Sequence, residues 1–140
     1  MIKKIIYTAG ILMEDVEVAV PSNYTNIFLH HMTIQFGFDG TELPDYIGKE
    51  FKFYVDAEYS DAKAIALSGR IDNGEIAGVM DALGQKAHIT VATVDGVKPV
   101  YSNQLLKTGI RNNVDIDTIK MKAGAFVVFD DDTTGWVFEK

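Results

Sequence analysis

Apolar and polar residues alternate, or β-branched and aromatic residues run together, over most of this chain. Period-2 alternation and short apolar runs predict strands. Residues 4–13 (KIIYTAGILM) read as a central strand, and a Pro-Ser-Asn turn leads to a second at 27–38 (IFLHHMTIQFGF). After a loop at 40–48, residues 49–60 and 62–71 read as paired strands about Ser60 and Asp61. AHITVAT at 87–93 is a further strand, and 114–129 with 135–140 form a last hairpin through DDDTT. Only two stretches suggest helices. Ile76, Val79, Met80 and Leu83 share a helical spacing that Gly84 stops. SNQLLKTG at 102–109 reads as a short helix with Ser102 or Asn103 as N-cap and Gly109 closing it. The expected fold class is α+β, rich in β-structure, with residues 1–140 as one domain.

Composition narrows the setting. The chain is 47% hydrophobic and 24% charged, ordinary for a folded soluble domain, and has no apolar run near the roughly 18–20 residues of a membrane span. MIKKIIYTAG puts basic residues before an apolar run, as a signal peptide does. The run breaks at Thr8 and Gly10, acids follow at Glu14 and Asp15, and no small-residue cleavage site appears, so the stretch is read as a strand. There is no cysteine, hence no disulfide and no thiolate nucleophile; this fits a reducing, cytoplasmic setting. Net charge is −7, and the 13 Lys and Arg form no run of five or more. A long duplex nucleic acid usually calls for a basic face. The balance favours a small or short anionic substrate in a cleft.

Placement of the histidines carries the chemistry. The chain has three, at 30, 31 and 88. His31 is two residues before Thr33, and His88 two before Thr90, each inside a β-prone stretch. The two motifs stand 57 residues apart, a weak internal repeat. Alternation along a strand puts His31, Thr33 and Gln35 on one face, and His88, Thr90 and Ala92 on another. It also puts His30 on the opposite face from His31, as a packing or orienting group. Two such polar faces opposed would surround one small volume with two imidazoles and two hydroxyls. One neutral imidazole can take a proton from an attacking water or hydroxyl, and the other, protonated, can give one to the leaving oxygen. The hydroxyls can donate to phosphate oxygens as charge builds there. A metal site is disfavoured, since His30 and His31 diverge and no Cys or carboxylate spacing completes a ligand set. No metal and no cofactor are expected.

At HHMTIQFG (30–37) and AHITVAT (87–93) the sequence resembles the 2H phosphoesterase superfamily, the LigT-like cyclic phosphodiesterases with two His-x-Thr/Ser motifs. IIYTAGILM and DAKAIALSGRI resemble the strands that precede the two motifs. The resemblance implies a bilobal fold, each lobe giving one His-x-Thr strand to a central cleft. It implies metal-independent hydrolysis of a nucleotide or RNA phosphodiester: a 2′,3′-cyclic end, a 2′–5′ linkage, an ADP-ribose cyclic phosphate or a cyclic oligonucleotide. His31 and His88 match the catalytic histidines, and Thr33 and Thr90 the phosphate-binding hydroxyls. The expected partner is a nucleotide or short oligonucleotide, without a membrane or a long duplex.

The chain is short for that superfamily, and residues 14–27 leave little room for its usual long helix. KPVYSNQLL at 98–106 is not part of the general motif. It could wall the cleft, with Tyr101 stacking on a base and Lys98, Ser102 or Asn103 contacting phosphate. Alternatively Tyr101 packs in the core and Ser102 caps a helix. Two further readings stay open: a nucleotide binder, sponge or sensor, that has lost turnover, and a structural domain whose motif histidines lie apart.

Overall fold

The computed structural model describes residues 1–140. In chain order the strands are β1 (Ile2–Leu12), β2 (Asn26–Ile27), β3 (His31–Phe36), β4 (Glu50–Ser60), β5 (Ala64–Ile71), β6 (His88–Thr93), β7 (Ile110–Asn112), β8 (Thr118–Phe129) and β9 (Thr134–Val137). Helix α1 (Gly74–Ala82) lies between β5 and β6, and α2 (Ser102–Thr108) comes after a 3₁₀ turn at Pro99–Tyr101. All strand pairs are antiparallel, in one open sheet ordered β2-β6-β5-β4-β8-β1-β3, with β7 added to β4 and β9 to β8.

β3 and β6 lie toward opposite ends of that path, yet they approach each other closely. Strand twist accumulated across the sheet curls it until its ends meet. The curl encloses the main core. Met32 and Ile34 of β3, Ile65 and Leu67 of β5, and Ile89 of β6 join Ile76 and Met80 of α1 there, all nearly solvent-free. Each such side chain contributes roughly 1.5–3 kcal/mol through burial. Residues 64–67 of β5 are buried without alternation. The reason is cover on both faces: Ile65 and Leu67 meet the main core, while Ala64 and Ala66 meet Leu105 of α2.

The expected helix at 76–83 forms, with the Asn73 side chain accepting from the Ile76 amide and Gly84 adopting a φ of +67° at its end. The paired strands at 49–71 and the C-terminal hairpin also form. The expected strand at 27–38 does not form as one piece. Asn26 and Ile27 pair with β6, whereas His31–Phe36 pair with β1. Residues 28–30 cross between the two sheet ends. The Phe28 and Leu29 amides donate to the Val91 carbonyl, and the Leu12 amide donates to the His30 carbonyl. Local periodicity cannot register such a crossing, because its residues are apolar or aromatic like those of the strands on either side.

Candidate active site

The two His-x-Thr strands share more than sequence. His31 stands opposite Ile11 and Thr33 opposite Ala9 in the β1–β3 pair. His88 stands opposite Ser68 and Thr90 opposite Ala66 in the β5–β6 pair. Ala9 and Ala66 are both fully buried, and they are separated by the same 57 positions as the motifs. The residue after each threonine is then skipped in the pairing: register passes from Thr33 to Gln35 and from Thr90 to Ala92. Ile34 and Val91 are therefore the extra residues of two equivalent β-bulges. A bulge bends the strand and re-aims the side chains beyond it.

This corrects the expected face of Gln35. Past the bulge, Phe36 pairs with Tyr7 on the histidine side, and Gln35 turns inward to accept a 3.1 Å hydrogen bond from the Tyr46 hydroxyl. The bulge at Val91 also leaves its carbonyl free for the crossing segment at Phe28 and Leu29.

His31, Thr33, His88 and Thr90 line one cavity of about 550 Å³, together with Tyr7, Phe28, His30, Phe36, Gln85, Pro99, Val100 and Asn103. That is within the range of small-molecule sites. None of the lining residues is Lys or Arg. No group of three or more His, Cys, Asp or Glu side chains is placed to share a metal ion.

His30 does not face away. Its ring stacks on that of His31 with centroids 4.4 Å apart, and their Nδ1 atoms lie 2.5 Å from each other. Alternation fails here because His30 lies in the crossing, one residue before β3 begins. Tyr7 closes the other side of His31 at 5.9 Å, and Trp136 meets Tyr7 edge-on at 5.6 Å. Burial, then the neighbouring His30 and His88 imidazoles, push the His31 pKa down to about 4. Burial also lowers His88, opposed by the Lys86 carbonyl, which accepts from Nδ1 at 2.8 Å. With Nδ1 so engaged, His88 presents Nε2 to the cavity.

Two polar tethers hold the site. Gln85 Nε2 donates to the Thr33 carbonyl at 2.7 Å, joining the segment between α1 and β6 to β3. The Thr90 hydroxyl lies 2.8 Å from that of Ser102 and 3.3 Å from the Pro99 carbonyl. Ser102 is fully buried and is not the cap of α2. Tyr101 occupies that position because the 3₁₀ turn begins the helix early. Asn103 reaches the cavity, whereas Lys98 and Tyr101 are not among its lining residues. The Tyr101 hydroxyl donates to Asp61 at 2.5 Å, and its ring packs on the Ala64, Ala66 and Leu105 cluster.

Pro99 and Val100 belong to the segment expected to wall the cleft, whereas Tyr7, Phe28, Phe36 and Gln85 were not legible as lining residues. Phe36 needed the bulge, Tyr7 the pairing of β1 with β3, and Gln85 a contact across 52 positions.

The family model of the fungal tRNA ligase phosphodiesterase domain matches residues 20–128, well over half of the chain. The chain belongs to that family. Through it the chain is a member of the 2H phosphoesterase superfamily, as the paired motifs suggested. The part matching the tRNA ligase phosphodiesterase domain takes in β2 to β7, both motifs and both helices, and ends within β8. Tyr7, which packs on His31, and Trp136, which packs on Tyr7, lie outside it. No match was found among curated proteins or among solved structures.

Proposed function

We propose that the chain is a metal-independent 2H-type phosphodiesterase that hydrolyses a cyclic phosphate or phosphodiester in a nucleotide or RNA end. The observation that carries this reading is the meeting of His31, Thr33, His88 and Thr90 around one cavity. Membership of the tRNA ligase phosphodiesterase family supports the same reaction class. The equivalent strand pairs β1–β3 and β5–β6, each with its bulge after the threonine, support a two-lobed arrangement of the motifs.

In this mechanism His31 is the base. Its surroundings keep it neutral, so its lone pair is available to take a proton from water. The water oxygen attacks phosphorus and the bond to the leaving oxygen breaks. His88 is the acid and protonates that oxygen from Nε2. The Lys86 carbonyl stabilises the protonated ring, and a bound phosphate anion does so further. The Thr33 and Thr90 hydroxyls donate to the non-bridging oxygens. Ser102 donates to Thr90, which leaves the Thr90 proton free to turn from the Pro99 carbonyl to phosphate. Aromatic and apolar walls from Phe28, Phe36 and Val100 suit a nucleobase.

The test is a mass-spectrometric screen of cyclic and linear oligonucleotides with the wild type, His31→Ala and His88→Ala. Hydrolysis by the wild type alone is expected. Equal hydrolysis by both variants removes the reading.

A further inference from the structure

His30 lies where two clefts meet. On one side it lines the motif cavity, and on the other it lines a shallow groove with Glu14 and Asp15. Between these sides its ring is stacked on His31, with the Nδ1 atoms at 2.5 Å. Two imidazole nitrogens so close share a proton: one is the donor and the other the acceptor. His30 is solvent-exposed, whereas His31 is half-buried behind Tyr7.

Burial makes His31 a poor place for positive charge, although a general base must take up a proton. Building on the hydrolytic reading above, we propose that His30 is a proton relay for His31, carrying the charge from the base to solvent. In the resting pair the bridging proton is on His31 Nδ1, and His30 carries its own proton on Nε2. The attacking water gives a proton to His31 Nε2. The bridging proton passes to His30 Nδ1. His31 is then neutral again, protonated on Nε2, and His30 is the cation. His30 releases its Nε2 proton toward the groove of Glu14 and Asp15. The pair gains one proton from substrate water and loses one to solvent; return of the bridging proton, with exchange at the two Nε2 atoms, restores the starting tautomers. The groups facing the pair are Tyr7 from β1, His88 from β6, and Glu14 and Asp15 from the segment after β1. Burial lowers the pKa of His30 as it does that of His31, but the neighbouring His30 and His88 imidazoles further disfavour a cation on His31.

His30 is thus a positioning and relay residue rather than a second base. The expected result for His30→Ala is a kcat lowered by about tenfold to a hundredfold with KM within about twofold, the size typical of supporting-shell changes. Added imidazole should restore kcat several-fold in a concentration-dependent way. His30→Asn keeps a polar atom near the Nδ1 position but cannot carry the charge, so it should be as slow as His30→Ala. Long-range ¹⁵N–¹H spectra of the uninhibited protein should show the His30 and His31 Nδ1 resonances titrating together. A wild-type kcat in His30→Ala, a loss that imidazole does not restore, or recovery of full rate by His30→Asn would each overturn the relay. The ¹⁵N titration needs no turnover, and independent titration of the two rings would overturn it even if no substrate is found. Full activity in His31→Ala would instead remove the hydrolytic reading on which the relay rests.

Discussion

The Ser102 hydroxyl lies 2.8 Å from the Thr90 hydroxyl, and Ser102 is fully buried. A buried hydroxyl needs a partner, and Thr90 is the one it has. While the Thr90 hydroxyl donates to the Pro99 carbonyl, the proton between the pair is that of Ser102, and the Thr90 proton can turn from that carbonyl to a phosphate in the cavity. Ser102→Ala should therefore lower kcat by about tenfold, the order of one lost oriented hydrogen bond of roughly 1–1.5 kcal/mol. Stability should change by about 1 kcal/mol, because the Thr90 hydroxyl left behind still has the Pro99 carbonyl as a partner. Steady-state kinetics with denaturant unfolding of the same variant check both numbers.

His31→Ala and His88→Ala should each lower turnover by about a hundredfold to ten-thousandfold, the usual worth of a general acid or base. Circular dichroism should stay native, since both imidazoles lie on the cavity side rather than in the main core. EDTA should leave wild-type turnover unchanged. Calorimetry beside product analysis separates an enzyme from a binder: tight binding with intact ligand would favour the binder.

Gln85 ties the approach to β6 onto β3 across 52 positions. Gln85→Ala should cost about 1 kcal/mol of stability through the lost hydrogen bond. It should also raise KM, because the two motif strands are held together by few other polar links. Urea unfolding and KM measured on one preparation would check this, and an unchanged KM would show that packing alone sets the cavity width.

The pH dependence of stability has a definite sign. His31 is held at about 4 in the folded chain, against an ordinary value of 6.5. The unfolded chain therefore takes the proton first. This contribution is fully present above about pH 6.5 and is lost as pH falls from there through about 4. His31→Gln should remove part of the fall in urea midpoint between these limits. An equal fall in wild type and variant would show that His31 is not held neutral by burial.

Much of the fold was legible in the chain. The alternating stretches at 49–71, and at 114–129 with 135–140, gave strand pairs about their turns, because strand faces are set locally by a period of two. The 57-residue spacing of the motifs singled out β3 and β6, whose pairings with β1 and β5 both shift register after the threonine. The face of Gln35, the break at residues 28–30 and the burial of Ser102 were not legible. Each depends on a partner far along the chain: β1 for the bulge, β6 for the crossing, Thr90 for the serine.

By itself, the sequence determined which residues alternate, where the chain turns, and that its only imidazoles lie beside hydroxyls in two matching stretches. Those properties arise from short-range sterics and side-chain chemistry. Only the tertiary structure decided that the stretches meet, because sheet curvature sums the twist of all the intervening strands. It also decided that His30 joins His31, since a residue in a crossing between sheet ends is released from the alternation that governs a strand.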